Sequence, residues 1–421
     1  MTTLRARFQT IRRGNERHIL ARRVPHGLLS PAYLWSTDPR VRLHRHFWWR
    51  GGPPLPRPLW LGLEIGLWLR WVVFHALPAT WRVTRRHGAP IARMEGISRF
   101  RLAARLARLA VYWCIPPGQC LLLGAYRNPD SALNFVYDHE SRGYHDWRND
   151  SLGPGAGDTQ RLRNKAVLAA ALQRIHIPTV PTLALVSTEE QAGDALRDGL
   201  ARNTPMFCKL NEGNQGWGAF SAWPQGKDHA GRMLSGQALA NATAISDALL
   251  ALLRRGDVLI QPCLANHGDL SFSNTDDALT VRLITKRENS SPNTIRLWWA
   301  ALEVPVEDRP ESRDTLMFSI TLLSGHVSHR IAHDTGHSHT PAIAELIKRV
   351  EAYVEDGRAL PHWQPMVTFS LRAHEQFPAL ESIAWDWVIT DTEPLLLEGN
   401  SHWRLIYPQK SLGGLLDSLQ R

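Results

Sequence analysis

Two nearly apolar runs, SIAWDWVI at 382–389 and PLLLEGN at 394–400, flank the polar tetrapeptide TDTE. Runs of this length, rich in branched and aromatic residues and separated by turn formers, read as the arms of a β-hairpin. Each arm carries one acid in an otherwise apolar pattern: Asp386 in the first and Glu398 in the second. With the turn centred on Thr392, Asp386 falls opposite Glu398, and directly opposed residues hold their Cβ atoms about 5 Å apart. Asn400, two residues beyond Glu398, shares its face. Two carboxylates this close among apolar neighbours either share a proton or hold a cation. An all-oxygen set suits a hard cation such as Mg²⁺, which keeps several waters and bridges to phosphates. The plainer reading is a strand end with solvated acids. What decides between them is whether the rest of the chain can hold a nucleotide.

At 421 residues the chain has room for two or three domains with real cores. Cys114, Cys120, Cys208 and Cys263 show neither a CxxC nor zinc spacing. With no cleavable signal peptide, the expectation is a reduced, cytoplasmic protein.

The net charge of +10 is unevenly spread. Residues 1–110 hold 21 Arg, no Lys and four acids, a net +17 that leaves the remainder at −7. A basic front end calls for an anionic partner, lipid headgroups or nucleic acid. No helix-turn-helix, zinc-finger or RNA-binding signature accompanies the arginines, so nucleic acid is not expected. The same region carries the run PLWLGLEIGLWLRWVVFHALPATW, 58–81, which is apolar but broken by Glu64, Arg70 and His75. A membrane-spanning helix needs about 20 predominantly apolar residues, and these polar groups sit near its middle. Two readings remain: a helix packed on the protein's own core, or an interfacial helix with Trp at headgroup depth and Arg alongside. The second would give residues 1–115 peripheral contact with an anionic membrane, at its inner face.

The chain divides by texture into a basic, Trp-rich helical region (1–115), a short segment and linker (116–157), and two mixed regions (158–265 and 266–421). The run ISRFRLAARLARLAVYW, 97–113, spaces its apolar residues as a helix does. GPGAG within 148–160 lacks both a preceding strand and a following GK[ST], so it reads as a turn. Beyond it, helices (TQRLRNKAVLAAALQRIHI, SDALLALLRRG) alternate with short strands (PTVPTLALV, PMFCKL, DVLIQPCL, LTVRLIT). Mixed elements with antiparallel hairpins argue for an α+β fold.

Two stretches bear on nucleotide chemistry. In FCKLNEGNQGWGAF, Lys209 lies on an apolar strand just before Gly213, Gly216 and Gly218. A strand-anchored lysine can reach phosphate oxygens while glycines let the backbone close over them, although a solvated lysine beside a turn has the same pattern. GDVLIQPCLANHGDL runs from a buried strand into a Pro-broken segment whose freed backbone groups can read an adenine edge, with Asp269 available to ribose hydroxyls; a strand entering a loop is the alternative.

The order of these features resembles the ATP-grasp superfamily. LTVRLIT, LPHWQPM, IAWDWVIT and LLLEGN are similar to its sugar-transfer-associated branch. The resemblance covers about 120–410 and is poor over 286–345. It implies two α+β subdomains clasping ATP, a lid in 158–265 and a catalytic part in 266–421, preceded by the helical basic region. It further implies that Lys165 and Lys209 contact ATP phosphates, Lys209 also touching adenine, and that Gly213, Gly216 and Gly218 form a lid loop. Gln261 and Cys263 would sit at the adenine hinge and Asp269 on the ribose. Asp386, Glu398 and Asn400 would hold two Mg²⁺, with Mn²⁺ as a substitute, and Arg282 would face the γ-phosphate or an acyl phosphate. The hinge often opens with Glu where this chain has Gln261. The activity implied is ligation of a small-molecule carboxylate to an amine or other nucleophile through an acyl phosphate. A phosphotransferase of the same fold and a membrane-associated scaffold that only binds nucleotide are the competing readings.

The cluster SHRIAHDTGHSH places His329, His333, Asp334, His337 and His339 together. His333 and His337 at i, i+4 suit metal ligation on a helix, which Gly336 disfavours. Lining an acceptor pocket is the other role open to them.

Overall fold

The computed structural model describes Tyr33 and residues 36–51, 56–153, 155–201, 204–213, 218–225, 228–270, 278–288, 291–309, 312–333 and 341–416. The chain divides into two units, one of residues 1–151 together with 404–421, the other of residues 152–403.

The first unit is helical where described: α1 (Pro39–Gly51), α2 (Arg57–Arg70), a π-helical segment (Trp71–Ala76), α3 (Leu77–Met94), α4 (Arg99–Tyr112), α5 (Pro117–Leu122) and α6 (Ser141–Asn149), with a last short helix at Ile406–Leu412. The helix expected at 97–113 is α4, opened by Ser98, whose side chain accepts from the Arg101 N–H. Inside this unit His44 is fully buried. Its Nδ1 lies 2.9 Å from Glu140 Oε1 and its Nε2 3.0 Å from the Leu133 carbonyl. Both ring nitrogens face acceptors, so the ring serves as a double donor, the charged form. Burial alone would lower the His44 pKa, but the Glu140 carboxylate outweighs it and holds the pKa above its ordinary value.

In the second unit the described strands form two antiparallel sheets. The first runs in the order β1 (Ala184–Val186), β6 (Val258–Pro262), β2 (Met206–Leu210), β3 (Phe220–Gln225), β4 (Asp228–Met233), β5 (Ala238–Leu239). The second runs β10 (Val327–His333), β9 (Ser312–Ile320), β8 (Ser291–Arg309), β7 (Thr280–Glu288), β11 (Ser382–Ile389), β12 (Pro394–Asn400). Its helices are α7 (Ala156–Arg163), α8 (Lys165–Gln173), α9 (Glu189–Ala201), α10 (Ala242–Leu253), α11 (Pro341–Glu355) and α12 (Trp363–Glu375). The fold is the expected α+β, and the long β8–β9 hairpin lies within 286–345.

Each sheet packs one face against helices. In the first sheet Met206, Cys208 and Ile260 join Ala192, Leu196, Ile245 and Leu249 of α9 and α10 in one core. Strand alternation sends Phe207, Lys209, Leu259 and Gln261 to the opposite face, where Phe207 pairs with Gln261 and Lys209 with Leu259. In the second sheet Val281, Leu283, Trp385 and Trp387 pack with Ile343, Met366 and Ala373 of α11 and α12. The intervening residues Arg282 and Asp386 therefore occupy the opposite face, where Asp386 is also buried.

The covered face of the hairpin is fastened by hydrogen bonds. Trp387 Nε1 donates to Ser370 Oγ (2.9 Å) and Trp385 Nε1 to Thr285 Oγ1 (2.9 Å). Thr285 Oγ1 lies 2.8 Å from His374 Nδ1, whose Nε2 lies 3.0 Å from the Leu380 carbonyl. Burial lowers the His374 pKa to about 4, which keeps the ring neutral. Nε2 must then carry the proton for Leu380, and Nδ1 accepts from the Thr285 hydroxyl.

Candidate active site

The hairpin register places Asp386 directly opposite Glu398, and Ala384 opposite Asn400. The pairing nearest the turn is different: Trp387 faces Leu396 and Ile389 faces Pro394, so the turn is centred between Asp391 and Thr392. A bulge between these two stretches takes up Leu397. Were Leu397 paired in regular register instead of bulged, Asp386 would oppose Leu397 and Glu398 would turn to the helix-covered face.

Arg282 lies opposite Asp386 on the neighbouring β7. Its guanidinium grips the carboxylate in a fork, Nε to Oδ1 at 2.8 Å and Nη2 to Oδ2 at 3.0 Å, while Nη1 reaches Glu303 Oε1 on β8 at 3.0 Å. Asn400 Nδ2 donates to both carboxylates, 3.2 Å from Asp386 Oδ2 and 3.2 Å from Glu398 Oε1. Lys165 Nζ lies 3.4 Å from Glu398 Oε2 and donates to the Gly213 carbonyl at 2.8 Å.

Lys165 is set in place by the start of α8. Asn164 caps the helix by accepting from the Val167 N–H (3.0 Å) and also accepts from Asn211 Nδ2 (3.1 Å). Asn211, at the end of β2, in turn accepts from the Ala166 N–H (2.9 Å) and from the Lys165 N–H through its own carbonyl (3.3 Å). Thus the helix start is tied to the strand that carries Lys209. The segment 178–180 runs beside β12, with the Leu396 N–H donating to Pro178 O (3.1 Å) and the Val180 N–H to Leu396 O (3.2 Å).

Charge decides what this face can bind. Lys165, Lys209 and Arg282 balance Asp386, Glu398 and Glu303. Burial lowers the Lys209 ammonium pKa to about 8, with Lys165 adding to the effect and Glu398 and Asp386 opposing it. Burial also lifts the Asp386 carboxyl above its ordinary value, against the pull of Arg282. On Glu398 burial is overridden by Lys165 and Lys209, which hold its pKa below the ordinary one. The pair is thus split, and the shared proton goes to Asp386 first. Burial opposes the charge of Arg282, but Asp386 and Glu303 outweigh it and raise the guanidinium pKa.

The donor set fits Mg²⁺. Two carboxylates and a carboxamide supply only hard ligands once the amide of Asn400 turns its oxygen inward. The cations now neutralising these carboxylates stand where a divalent ion would do the same. Among the described residues no group of three or more His, Cys, Asp or Glu side chains is arranged to hold a metal. Of the histidine cluster, Asp334, His337 and His339 lie outside the described residues, as does the side chain of His333. His329 is an exposed residue of β10.

The remaining expected positions take varied places. Gly218 has φ +78°, and a Cβ there would stand 3.0 Å from Leu252 Cδ2, so glycine is required. Gly213 offers its carbonyl to Lys165, and Gly216 lies outside the described residues. Gln261 is buried, with Nε2 3.4 Å from the Val180 carbonyl. Cys263 gives its N–H to Pro205 O (3.0 Å). Asp269 makes its described contacts elsewhere, its N–H donating to His267 Nδ1 (3.1 Å), next to Gly268, whose N–H donates to Asp391 Oδ1 (2.8 Å). Glu303 went unnoticed in the sequence, although a lone acid in WWAALEVPV is the signal that marked Asp386.

Gly399, between the two ligand candidates, is a packing requirement. A Cβ there would stand 2.6 Å from Leu162 Cδ1 and 2.7 Å from Trp385 Cζ3. Trp385 is its cross-strand partner and both neighbours are buried. Gly399→Ala should cost about 1–3 kcal/mol of stability by overpacking and displace Glu398 and Asn400 together. Urea unfolding alongside a metal titration checks this; wild-type stability with wild-type metal affinity would refute it.

A lysine pair and a guanidinium gather about an oxygen-only hairpin, built on two antiparallel sheets. The chain belongs to the sugar-transfer-associated ATP-grasp family, whose model matches residues 157–420. Membership brings ATP and Mg²⁺ binding in general. No curated protein matches the chain in sequence. Among solved structures, it is similar to D-alanyl-alanine synthetase A from Vibrio cholerae (12% identity, 61% of this chain and 60% of that one, TM-score 0.33). It is also similar to the ATP-grasp ligase PsnB complexed with a minimal precursor (13%, 71% and 71%, TM-score 0.34). A third is the biotin carboxylase domain of 2-oxoglutarate carboxylase from Hydrogenobacter thermophilus (13%, 79% and 64%, TM-score 0.37). The first and third of these are spanned over less than two thirds of their length, and at such identities the likeness concerns fold alone.

Proposed function

We propose that the protein is an ADP-forming ligase that activates a carboxylate with ATP and joins it to an amine or other nucleophile. The observation that carries this reading is Arg282, held between Asp386 and Glu303 on the same sheet face as Glu398 and Asn400, with Lys165 against Glu398. A carboxylate oxygen of the acid would attack the γ-phosphorus, breaking the bond to ADP. The nucleophile would then attack the acyl carbon and expel phosphate, its proton passing to the departing phosphate or to water. Lys165 and Lys209 hold phosphate oxygens, and Arg282 faces the transferring phosphoryl group as charge develops there. Asp386, Glu398 and Asn400 would hold two Mg²⁺, or Mn²⁺ in their place, which would neutralise charge on the phosphates. Gln261 and Cys263 lie along the base and Asp269 along the ribose in this reading, with Gly213, Gly216 and Gly218 in a lid carried by 158–265. In this reading the ligation serves polysaccharide or specialised-metabolite assembly.

We also infer a cytoplasmic site with peripheral placement of residues 1–115 against the inner face of an anionic membrane.

ADP release measured across pooled carboxylates and pooled amines, with products weighed by mass spectrometry, tests the reaction. Ligation requires both pools and yields a product lighter by one water than its two parents. Release supported by one pool alone, with a phosphorylated product, would replace ligation by phosphotransfer.

A further inference from the structure

The long helical stretch of α2, the π-helical segment and α3 has an inverted amphipathic pattern. Its buried line is Leu67, Trp71, Ala76, Thr80, Thr84, Gly88 and Ala92, small residues apart from the first two. Trp71 Nε1 donates to the Ala110 carbonyl of α4 at 2.8 Å, and a Cβ on Gly88 would come within 3.8 Å of Leu102 of the same helix. The small face thus lets α4 approach closely. The opposite line carries the large apolar residues: Ile65, Leu69, Val73, Leu77 and Trp81, with Phe74 beside them. All are exposed, from 50% for Ile65 to 67% for Phe74.

Both lines depend on the π-helical segment. Four-residue steps along an α-helix advance around the axis by about 40° each, so a long line would spiral off its face. The wider turn at Trp71–Ala76 takes the five-residue step from 71 to 76 and resets the drift. In the exposed line the step from Val73 to Leu77 crosses this wider turn, so the five side chains stay in one stripe rather than winding around the helix. No helix among the described residues is long and apolar enough to cross a membrane.

Charge selects what covers the stripe. The stretch 57–94 holds six Arg and a single acid, Glu64. Arg82, Arg85 and Arg86 are exposed at its far end, and the Arg85 guanidinium lies over the Trp81 ring, 5.2 Å from its centroid. A second copy seated on the same stripe would cover the apolar side chains but bring arginine against arginine. An anionic lipid surface takes both: apolar side chains enter the acyl boundary, Trp81 sits at headgroup depth, and the arginines meet phosphates and carboxylates.

We propose that the stripe Ile65–Leu69–Val73–Leu77–Trp81 lies in the headgroup layer of an anionic membrane, flanked by Arg82, Arg85 and Arg86. The proposal rests on the peripheral placement inferred above and names its surface. It is independent of the ligase reaction, because none of these residues belongs to the candidate active site.

The test uses the full chain and vesicles of phosphatidylcholine with and without phosphatidylserine, at low and high salt. The wild type should bind the anionic vesicles about tenfold or more tightly than the neutral ones, and lose only part of that in high salt. Leu77→Gln/Trp81→Gln, at two exposed positions, should weaken anionic binding about tenfold or more and leave the high-salt remainder absent. Arg82→Gln/Arg85→Gln should remove the salt-sensitive part and keep the remainder. ADP release by both variants should match the wild type, which shows that they are folded. Wild-type binding by Leu77→Gln/Trp81→Gln would overturn the stripe and leave peripheral placement standing on another surface. No binding by the wild type would overturn both. A wild type that is dimeric and lipid-indifferent, with a monomeric Leu77→Gln/Trp81→Gln variant, would assign the stripe to a second copy and overturn the lipid proposal.

Discussion

Asp386→Asn and Glu398→Gln should each abolish Mg²⁺-dependent ADP release, by about a thousandfold or more, while the fold persists. Each removes one of the negative charges that a cation must meet, and several kcal/mol of transition-state stabilisation corresponds to that loss. The fold should survive for a reason visible in the site. Asp386→Asn leaves Arg282 its contact with Glu303, so no guanidinium is buried alone, and Glu398→Gln leaves Lys165 its bond to the Gly213 carbonyl. Turnover at several Mg²⁺ concentrations, with circular dichroism as the control for folding, reads the result. Near-wild-type release by either variant would remove the hairpin from the metal site.

Lys209→Met should weaken ATP binding about tenfold or more, since a charge-assisted contact to phosphate contributes about 1.5–3 kcal/mol. Calorimetry checks that part, and unchanged affinity would remove Lys209 from the phosphates. The same substitution has a second signature in the nucleotide-free protein. Burial holds the Lys209 pKa near 8 in the folded chain, below the 10.5 of an exposed lysine. Between those two values the unfolded chain binds the extra proton, so the contribution of Lys209 to stability rises with pH. It is complete above the unfolded pKa, is lost as pH falls toward 8, and stays lost below. Hence the stability of the wild type relative to Lys209→Met should climb from pH 8 to 10.5 and be flat from pH 6 to 7.5. A flat difference throughout would mean that Lys209 is solvated.

The sequence makes the acid pair of the hairpin legible because strand periodicity is two and the turn between the arms is polar. Yet the assumed centre at Thr392 is not where the turn sits. The pairing of Asp386 with Glu398 comes from a half-residue displacement of the turn that the bulge at Leu397 restores, and no local pattern announces a bulge. Glu303 shows a different limit. It bears the same mark as Asp386, a single acid among apolar residues, but its partner Arg282 is reached only through the register of β7 and β8, which itself shifts near Ile284. The stretch 57–94 could be read as core-packed or interfacial. Beyond Trp71 its buried residues are small and its largest apolar ones are exposed, a division that composition alone hides because Ala, Thr and Gly lack the hydrophobic weight of Leu and Trp. The grouping of residues 404–421 with the first unit rests on nonlocal bonds such as Gln409 Nε2 to the Val136 carbonyl (2.7 Å), which the sequence does not signal.

The bulge at Leu397 also governs which changes of chain length this hairpin can absorb. Residues added to or removed from the 390–393 turn leave Ile389 facing Pro394 and so reach no ligand candidate. Loss of Leu397 itself would bring Glu398 next to Leu396 and still opposite Asp386, costing local twist and nothing of the pairing. One step farther the tolerance ends. A single residue gained or lost at Gly399 would swing Asn400 to the helix-covered face and leave two carboxylates without their carboxamide. Insertions and deletions among relatives of this chain should therefore accumulate on the turn side of Leu397 and be absent from the two positions after it.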